Sequence, residues 1–151
     1  MKMCVGGQWV DKPDKIEVRH PYDNSLVDTV PHGEAGDVDR ALAAAARGAK
    51  VMAKLTAHDR YQILMKAAQK IEARAEEFAK TITLEGGKVI TEARGEAGRA
   101  VQTLQLSAEE ARRLHGETVP LDASPGGAGK FGFTIRVPCG VVVAISPFNF
   151  P

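Results

Sequence analysis

An asparagine in a short, proline-flanked loop is the residue of this chain most suited to chemistry. Asn149 lies in Ser-Pro-Phe-Asn-Phe-Pro, residues 146–151, directly after the apolar run Val141 to Ile145. In open α/β sheets, ligands bind beyond the carboxyl ends of the strands, and the prolines restrict the backbone of the loop. The Asn149 amide could donate to a developing oxyanion, which is worth about 10²–10³ in rate. It could also cap a helix that follows, and the residue types alone favour capping.

The other reactive residue types form no recognisable site. Cys139 lies between a proline and a glycine, Cys4 is near the N-terminus, and neither has a local base that would make it a nucleophile. Glu85 is predicted to lie in the last turn of a helix. We predict no metal site, because the histidines lack the paired spacing of metal ligands; they are His20, His32, His58 and His115.

Composition excludes several classes of protein. The chain has 151 residues, of which 44% are hydrophobic and 26% are charged, as in a soluble globular domain. Lysine and arginine total 20 against 19 acidic residues, so nothing favours nucleic acid or an anionic membrane as a partner. The longest apolar run is too short to span a bilayer, and the N-terminus lacks the apolar region of a signal peptide. With only two cysteines, we expect a cytoplasmic protein.

The elements that position the loop begin with hairpins and a helix. MCVGGQWV has a Gly-Gly turn between short apolar stretches, and IEVRHPYDNSLVDTVP predicts strand, turn at residues 22–25, and strand. From Asp37 onward, apolar residues recur at steps of three and four, which predicts an amphipathic helix. Its face contains Val38, Ala41, Leu42, Ala45, Ala49 and Met52.

Two further apolar stripes predict more helix. Thr56 to Asp59 resembles a capping box with Asp in place of Glu. The stripe after it predicts one long helix or two that continue each other, ended by Gly86-Gly87. Its members are Tyr61, Leu64, Ala68, Ile71, Ala75, Phe78 and Ile82. The last stripe, predicted to end at Gly116, contains Val89, Ala93, Ala97, Val101, Leu104, Ala108, Ala111 and Leu114.

Two strands of different character are predicted after the helices. Residues 120–130 are loop by composition. Phe131 to Val137 alternates apolar and other residues, which is typical of a half-exposed antiparallel strand. Val141 to Ile145 does not alternate, which predicts a strand covered on both faces, as in a parallel sheet.

The segment RVPCGVVVAISPFNFP resembles the aldehyde dehydrogenase superfamily. That family carries Arg-x-Pro-x-Gly-Val-Val, a strand, and then a Pro-Trp/Phe-Asn-Phe-Pro loop; Arg136, Pro138 and Gly140 fit the first part. The likeness extends upstream through GGQWVD, HPYDNSLVDTVP, DVDRALAAAARGA, LEGGK and EARGE. Phe148 in place of tryptophan, with RLHGETVPLDASPGG, resembles the branch of non-phosphorylating glyceraldehyde-3-phosphate and lactaldehyde dehydrogenases.

The resemblance implies an α/β fold, the N-terminal part of a Rossmann-type cofactor domain with a β-hairpin region, a helical layer and one oligomerisation strand. Residues 1–120 would be the N-terminal part of the cofactor-binding domain. Residues 121–137 would hold a loop and the oligomerisation strand, and residues 138–151 the first Rossmann-like strand with its loop. A homo-oligomer, either dimer or tetramer, is also implied.

The implied activity is oxidation of an aldehyde to a carboxylic acid with NAD or NADP, through a thiohemiacetal on a cysteine. Asn149 would hold the oxyanion and Phe150 would face the substrate. Arg99 falls near the position of a substrate-binding arginine in the members that act on phosphate-bearing aldehydes. The residues implied to lie along the bound NAD or NADP are Ile145, Ser146, Pro147, Phe148 and Asn149.

Two catalytic parts of the family do not match this sequence. The nucleophile lies in Gly-Gln-x-Cys and the base in Glu-Leu-Gly-Gly-Lys, both far downstream, and neither Cys4 nor Cys139 fits. Leu84 to Lys88 matches the upstream Glu-Ser-Gly-Lys-Pro helix end instead. We therefore predict an N-terminal fragment without turnover of its own. The alternative is a non-catalytic binding or assembly module that ends at residue 151.

Overall fold

The computed structural model describes residues 1–150 and opens with two antiparallel hairpins, as the sequence predicts. Gly6 and Gly7 form the first turn with φ of 60° and 82°, and residues 20–25 form the second. Pro151, the last residue of the proline-flanked loop, lies outside the described residues. The strands are β1 (Met3–Val5) paired with β2 (Gln8–Val10), and β3 (Lys15–Arg19) paired with β4 (Leu26–Pro31).

Four helices follow, and they confirm most of the predicted boundaries. They are α1 (Ala35–Met52), α2 (Ala57–Glu72), α3 (Ala75–Gly86) and α4 (Ile90–Ala111). The long stripe from Tyr61 to Ile82 is divided between α2 and α3, which is one of the two arrangements predicted. The last helix ends at Ala111 rather than at Gly116. Leu114, assigned to its face from the sequence, is exposed, so it adds no packing that would prolong the helix.

Local hydrogen bonds explain why α2 begins and α3 ends where they do. The Asp59 N–H donates to Thr56 Oγ1 (3.1 Å) and the Thr56 N–H donates to the Asp59 carboxylate (3.2 Å), so the predicted capping box is confirmed. The Thr56 hydroxyl, which also donates to this carboxylate, holds the pKa of Asp59 below its ordinary value. Gly87 ends α3 in the left-handed region at φ 67°, as the double glycine predicts.

The core lies between α4 and the helices α2 and α3, and it consists of small residues. The buried side chains are Ala68, Ala79, Ala93, Ala97, Val101 and Ala108. Side chains of this size let helix backbones approach closely. At the periphery, Arg94 on α4 pairs with Glu76 on α3 through contacts of 2.9 and 2.8 Å. The Arg112 guanidinium lies 4.1 Å from the centre of the Tyr61 ring, which connects α4 to α2.

Helix α1 is joined at its N-terminus to the connection between β2 and β3 by an ion pair. The Asp37 carboxylate, only 6% exposed, accepts hydrogen bonds from the Lys12 ammonium (2.9 Å) and the Glu34 N–H (2.9 Å). The hydrogen bond from Lys12, followed by that from Glu34, holds the pKa of Asp37 below its ordinary value. The apolar face predicted for α1 remains uncovered in the described chain, since Val38 and Leu42 are both exposed.

The two strands predicted after the helices are largely absent, which corrects the sequence interpretation. The alternating segment Phe131 to Val137 contributes only β6 (Gly132–Phe133), which pairs antiparallel with β5 (Thr118–Val119). Val141 to Ile145 forms no strand and is exposed rather than covered on both faces. A strand exists only where a neighbour supplies hydrogen bonds, and no other segment of residues 1–150 pairs with these residues.

The short β5–β6 pair is held by a close approach of two backbones. A Cβ at Gly116 would lie 1.6 Å from the Thr134 carbonyl oxygen, so this position requires glycine. Beside it, the Thr134 N–H donates to the Glu117 carbonyl (2.8 Å) and the Glu117 N–H donates to the Thr134 hydroxyl (2.9 Å). These bonds fix the start of the extended segment that leads to residues 146–150.

Candidate functional site

An open cavity of about 680 Å³ lies where the N-terminal half of α4 meets the final turn of the described chain. In this turn the Phe150 N–H donates to the Pro147 carbonyl (3.3 Å). Asn149, Phe150 and Arg99, which the sequence places in three different roles, all line the cavity. Its complete lining is Lys88, Glu92, Gly95, Glu96, Arg99, Asn149 and Phe150.

Helix periodicity explains the wall that α4 contributes. Glu92, Glu96 and Arg99 are spaced by four and three residues, so they occupy one face of the helix. Gly95 lies beside them and has open space where a side chain would be, which widens the cavity. The opposite face of α4 carries the buried alanines of the core, and α4 is therefore held firmly where it borders the cavity.

The Lys88 ammonium ties the final turn to this wall. It donates to the backbone carbonyl of Asn149 (2.9 Å), pairs with the Glu96 carboxylate, and lies 4.2 Å from the centre of the Phe150 ring. The Lys88 side chain is 19% exposed and the Glu96 side chain 12%. Three contacts thus converge on one largely buried ammonium.

The Arg99 guanidinium also borders the cavity, and its contacts differ from those of Lys88. Its guanidinium carbon lies 5.6 Å from the centre of the Phe150 ring. No ion pair within residues 1–150 involves Arg99, whereas Arg94, Arg112 and Arg113 on the same stretch each pair with a glutamate. Two glutamates also line the cavity, so its charged side chains cancel in sum.

The residues predicted to lie along NAD or NADP are separated from this cavity, apart from Asn149. Ile145, Ser146, Pro147 and Phe148 do not line it. Ile145 is 90% exposed and Phe148 is 95% exposed. The turn at Phe148-Asn149 therefore divides the loop into an exposed apolar part and a part that faces α4.

Sequence reasoning missed Lys88 and Glu96 as site residues. They are eight positions apart, and the helix rules relate only residues three or four apart, so no sequence pattern connects them. Glu85 lies in the last turn of α3, as predicted, and borders a second, mostly apolar cavity of about 330 Å³, which shares Glu96 with the first. Cys4 and Cys139 are exposed and line neither cavity.

Neither a candidate metal cluster nor a membrane-spanning helix occurs in residues 1–150. Residues 1–150 contain no group of three or more histidine, cysteine or acidic side chains that could hold a metal ion. None of the helices α1 to α4 is long and apolar enough to cross a membrane.

A family model described as the aldehyde dehydrogenase family matches residues 9–151. Several curated relatives match almost the whole chain. The 3-sulfolactaldehyde dehydrogenase of Priestia aryabhattai is 44% identical over 99% of this chain, which spans 31% of that relative. The lactaldehyde dehydrogenase of Methanococcus aeolicus is 36% identical over 99% of this chain and is covered to 30%.

The fold has a counterpart among solved structures. The NADP-dependent glyceraldehyde-3-phosphate dehydrogenase from Bacillus halodurans, complexed with NADP, matches with a TM-score of 0.91 and 31% identity. The match covers 99% of this chain and 32% of that structure. The hairpins and four helices described above are therefore an arrangement found in the N-terminal part of an α/β cofactor domain.

Proposed function

The chain belongs to the aldehyde dehydrogenase family, and on that premise we propose that it forms the N-terminal part of an enzyme that oxidises an aldehyde to a carboxylic acid with NAD or NADP. The observation that carries this proposal is the meeting of Asn149, Phe150 and Arg99 at one cavity. Arg99 on α4 is far from the two loop residues in the sequence, yet all three line the same cavity. The residues implied to flank the cofactor, Ile145 to Phe148, directly precede Asn149 in the sequence.

The role proposed for Asn149 is to stabilise negative charge on the aldehyde oxygen. When a cysteine thiolate adds to the carbonyl carbon, the oxygen gains the electron pair of the broken π bond and becomes an oxyanion. A side-chain N–H donor placed at that oxygen is typically worth about 10²–10³ in rate. Neither Cys4 nor Cys139 lines the cavity, and the Glu-Leu-Gly-Gly-Lys motif of the base does not match this sequence, so we propose that the nucleophile and the base lie outside residues 1–151.

The role proposed for residues 145–148 is to flank NAD or NADP, which supplies the hydride acceptor. Ile145 and Phe148 present nearly their whole side chains to solvent, and exposed apolar side chains of this kind suit the flat face of a ring. Pro147 limits the conformations of the loop because its φ is fixed. The loop would then present one side to the cofactor and Asn149 to the substrate.

The substrate proposed is an aldehyde that carries an anionic group. Arg99 has no ion-pair partner within residues 1–150 and borders the cavity, and a guanidinium recognises carboxylate, sulfonate and phosphate oxygens through paired N–H donors. Two of the similar proteins are named for a sulfolactaldehyde and a glyceraldehyde phosphate. A neutral hydroxyaldehyde is the second candidate, because the charges lining the cavity cancel in sum.

The oligomeric state and the domain boundaries are also proposals that rest on membership of the family. Phe131 and Phe133 are exposed, with ring centres 5.9 Å apart, on the segment assigned to the oligomerisation strand. We propose that this segment pairs with another subunit in a cytoplasmic homo-oligomer, either a dimer or a tetramer. We further propose that residues 1–120 and 138–151 belong to the cofactor domain and that residues 121–137 extend from it.

A non-catalytic binding or assembly module is the alternative, and the lack of a cysteine at the cavity favours it. Sequencing the reading frame beyond codon 151, followed by assay of its product with NAD or NADP and short aldehydes, separates the two functions. We expect turnover by that product, none by residues 1–151 alone, and a loss of about 10²–10³ in kcat for Asn149→Ala. Full activity in Asn149→Ala would reject the assigned role, and a soluble, folded product without turnover would favour the module.

A further inference from the structure

We propose that Lys88 is a positioning residue, which aims the Asn149 amide by holding the backbone of the final turn against α4, and that Glu96 holds Lys88 in place. This inference rests on the proposed function, because it assigns a consequence for catalysis to a residue outside the predicted site. It adds to that function a named interaction on which the orientation of Asn149 depends.

The contacts of Lys88 with Asn149 and Phe150 hold the final turn, and we call them the tie. Within residues 1–150, the hydrogen bond from the Lys88 ammonium to the Asn149 carbonyl (2.9 Å) is the one that joins residues 141–150 to the rest of the described chain. The same ammonium lies over the Phe150 ring at 4.2 Å. Both contacts fall on the two residues of the turn that line the cavity, so they fix the piece of backbone that carries the Asn149 side chain.

The burial of this ammonium indicates a specific purpose. Lysine is rarely buried unless it is paired, and a largely buried ion pair adds little net stability because desolvation offsets the attraction. The Lys88–Glu96 pair is among the least exposed in residues 1–150. A pair that costs desolvation and contributes little stability is best explained by the conformation that it specifies, which here is the position of Asn149.

The backbone before Lys88 directs the side chain toward the turn. Gly87 takes the left-handed conformation at the end of α3 and reverses the chain before α4 begins. Lys88 consequently lies beside the first turns of α4, where Glu96 projects from the same face that borders the cavity. The tie is thus built into the α3–α4 connection.

The test uses the product of the complete reading frame. An error of about 1 Å in the position of a catalytic group can cost about 10²-fold in rate. We therefore expect Lys88→Met to lower kcat by about 10- to 100-fold, while the KM for the aldehyde changes by less than about 3-fold. Lys88→Arg keeps the charge and should recover part of the loss. Lys70→Met, at an exposed lysine on α2, is the matched control and should be neutral.

A double-mutant cycle separates positioning from a general structural effect. If Lys88 acts through Asn149, then Lys88→Met should cost less than about 2-fold in kcat once Asn149 has been replaced by alanine. Independent, multiplying losses would overturn the proposal. Glu96→Gln should cause part of the loss in kcat that Lys88→Met causes. This loss should likewise disappear when Asn149 has been replaced by alanine.

A readout without turnover keeps the inference separate from the proposed function. Hydrogen exchange of the peptide that spans residues 146–150 should be faster in Lys88→Met than in the unchanged protein or in Lys70→Met, while peptides from α2 and α3 stay the same. If no aldehyde is oxidised but exchange responds in this way, the proposed function fails and the tie stands. If the enzyme is active but neither exchange nor kcat responds to Lys88→Met, the tie is wrong.

Discussion

The Arg99 guanidinium carbon lies 5.6 Å from the centre of the Phe150 ring, across the cavity that Asn149 also lines. This relationship allows a test of the substrate class. An unpaired cation at this place would bind an anionic group on the aldehyde through charge-assisted hydrogen bonds. Removing it would leave the anion without that partner, and a neutral aldehyde would lose little.

Arg99→Ala in the full-length product should therefore raise the KM for a sulfonate- or phosphate-bearing aldehyde by about 10- to 100-fold. The KM for lactaldehyde should stay within about 3-fold. Steady-state kinetics with both substrates measure the difference, and Arg47→Ala, at an exposed arginine on α1, is the control. Equal losses for the charged and the neutral aldehyde would reject the anion-binding role.

Thr56→Ala should destabilise the protein by about 1 kcal/mol, because it removes the hydroxyl that accepts the Asp59 N–H at the start of α2. Urea unfolding followed by circular dichroism measures the change. Thr103→Ala is the matched control, since Thr103 is exposed within α4 and alanine is the better helix former there. The cap assignment would be wrong if the two substitutions changed the free energy of unfolding in the same direction.

The ion pair at the start of α1 predicts a dependence of stability on pH. Because Lys12 and the Glu34 N–H lower the pKa of Asp37 in the folded chain below the ordinary value of 3.8, this carboxylate stabilises the fold above that value. The contribution should be lost as the pH falls through the lowered pKa. Asp37→Asn should reduce stability at neutral pH and flatten the acid limb of the profile. Asp39→Asn, at an exposed residue on the same helix, should leave the profile unchanged.

Phe131→Asp tests the proposed subunit contact. A charge at the exposed apolar position of the segment before β6 would be buried against the partner, so the dissociation constant of the full-length oligomer should rise at least about 10-fold. Sedimentation velocity over a range of concentrations measures it. Tyr22→Asp, at an exposed aromatic residue in the second hairpin turn, is the control. Unchanged sedimentation of Phe131→Asp would place the interface elsewhere.

The features that the sequence predicts correctly are those with local physical causes. The Gly6-Gly7 turn, the Thr56 capping box and the Gly87 stop each depend on backbone geometry within a few residues. The helix stripes depend on periodicity, which is also local. The structure brings Asn149 and Arg99, which the motif resemblance singled out, to one cavity, and their catalytic and binding roles stay predictions.

The features that the sequence predicts poorly depend on partners. Alternation in Phe131 to Val137 indicates strand, but residues 1–150 pair only Gly132–Phe133. Val141 to Ile145 likewise has a strand composition and no neighbouring strand. Lys88 could not be recognised from the sequence for a related reason, because its contact with Asn149 exists only after the final turn folds onto α4.

The core formed by α2, α3 and α4 has a consequence for the order of events during synthesis. These helices follow one another along the chain, and α4 packs on both of its predecessors. Contacts between sequence neighbours close short loops and form fast, so this three-helix unit should assemble on the ribosome soon after Ala111 has left the exit tunnel. The apolar segments after Ala111 would emerge with that unit already folded, a stage at which exposed apolar chain is open to chaperones.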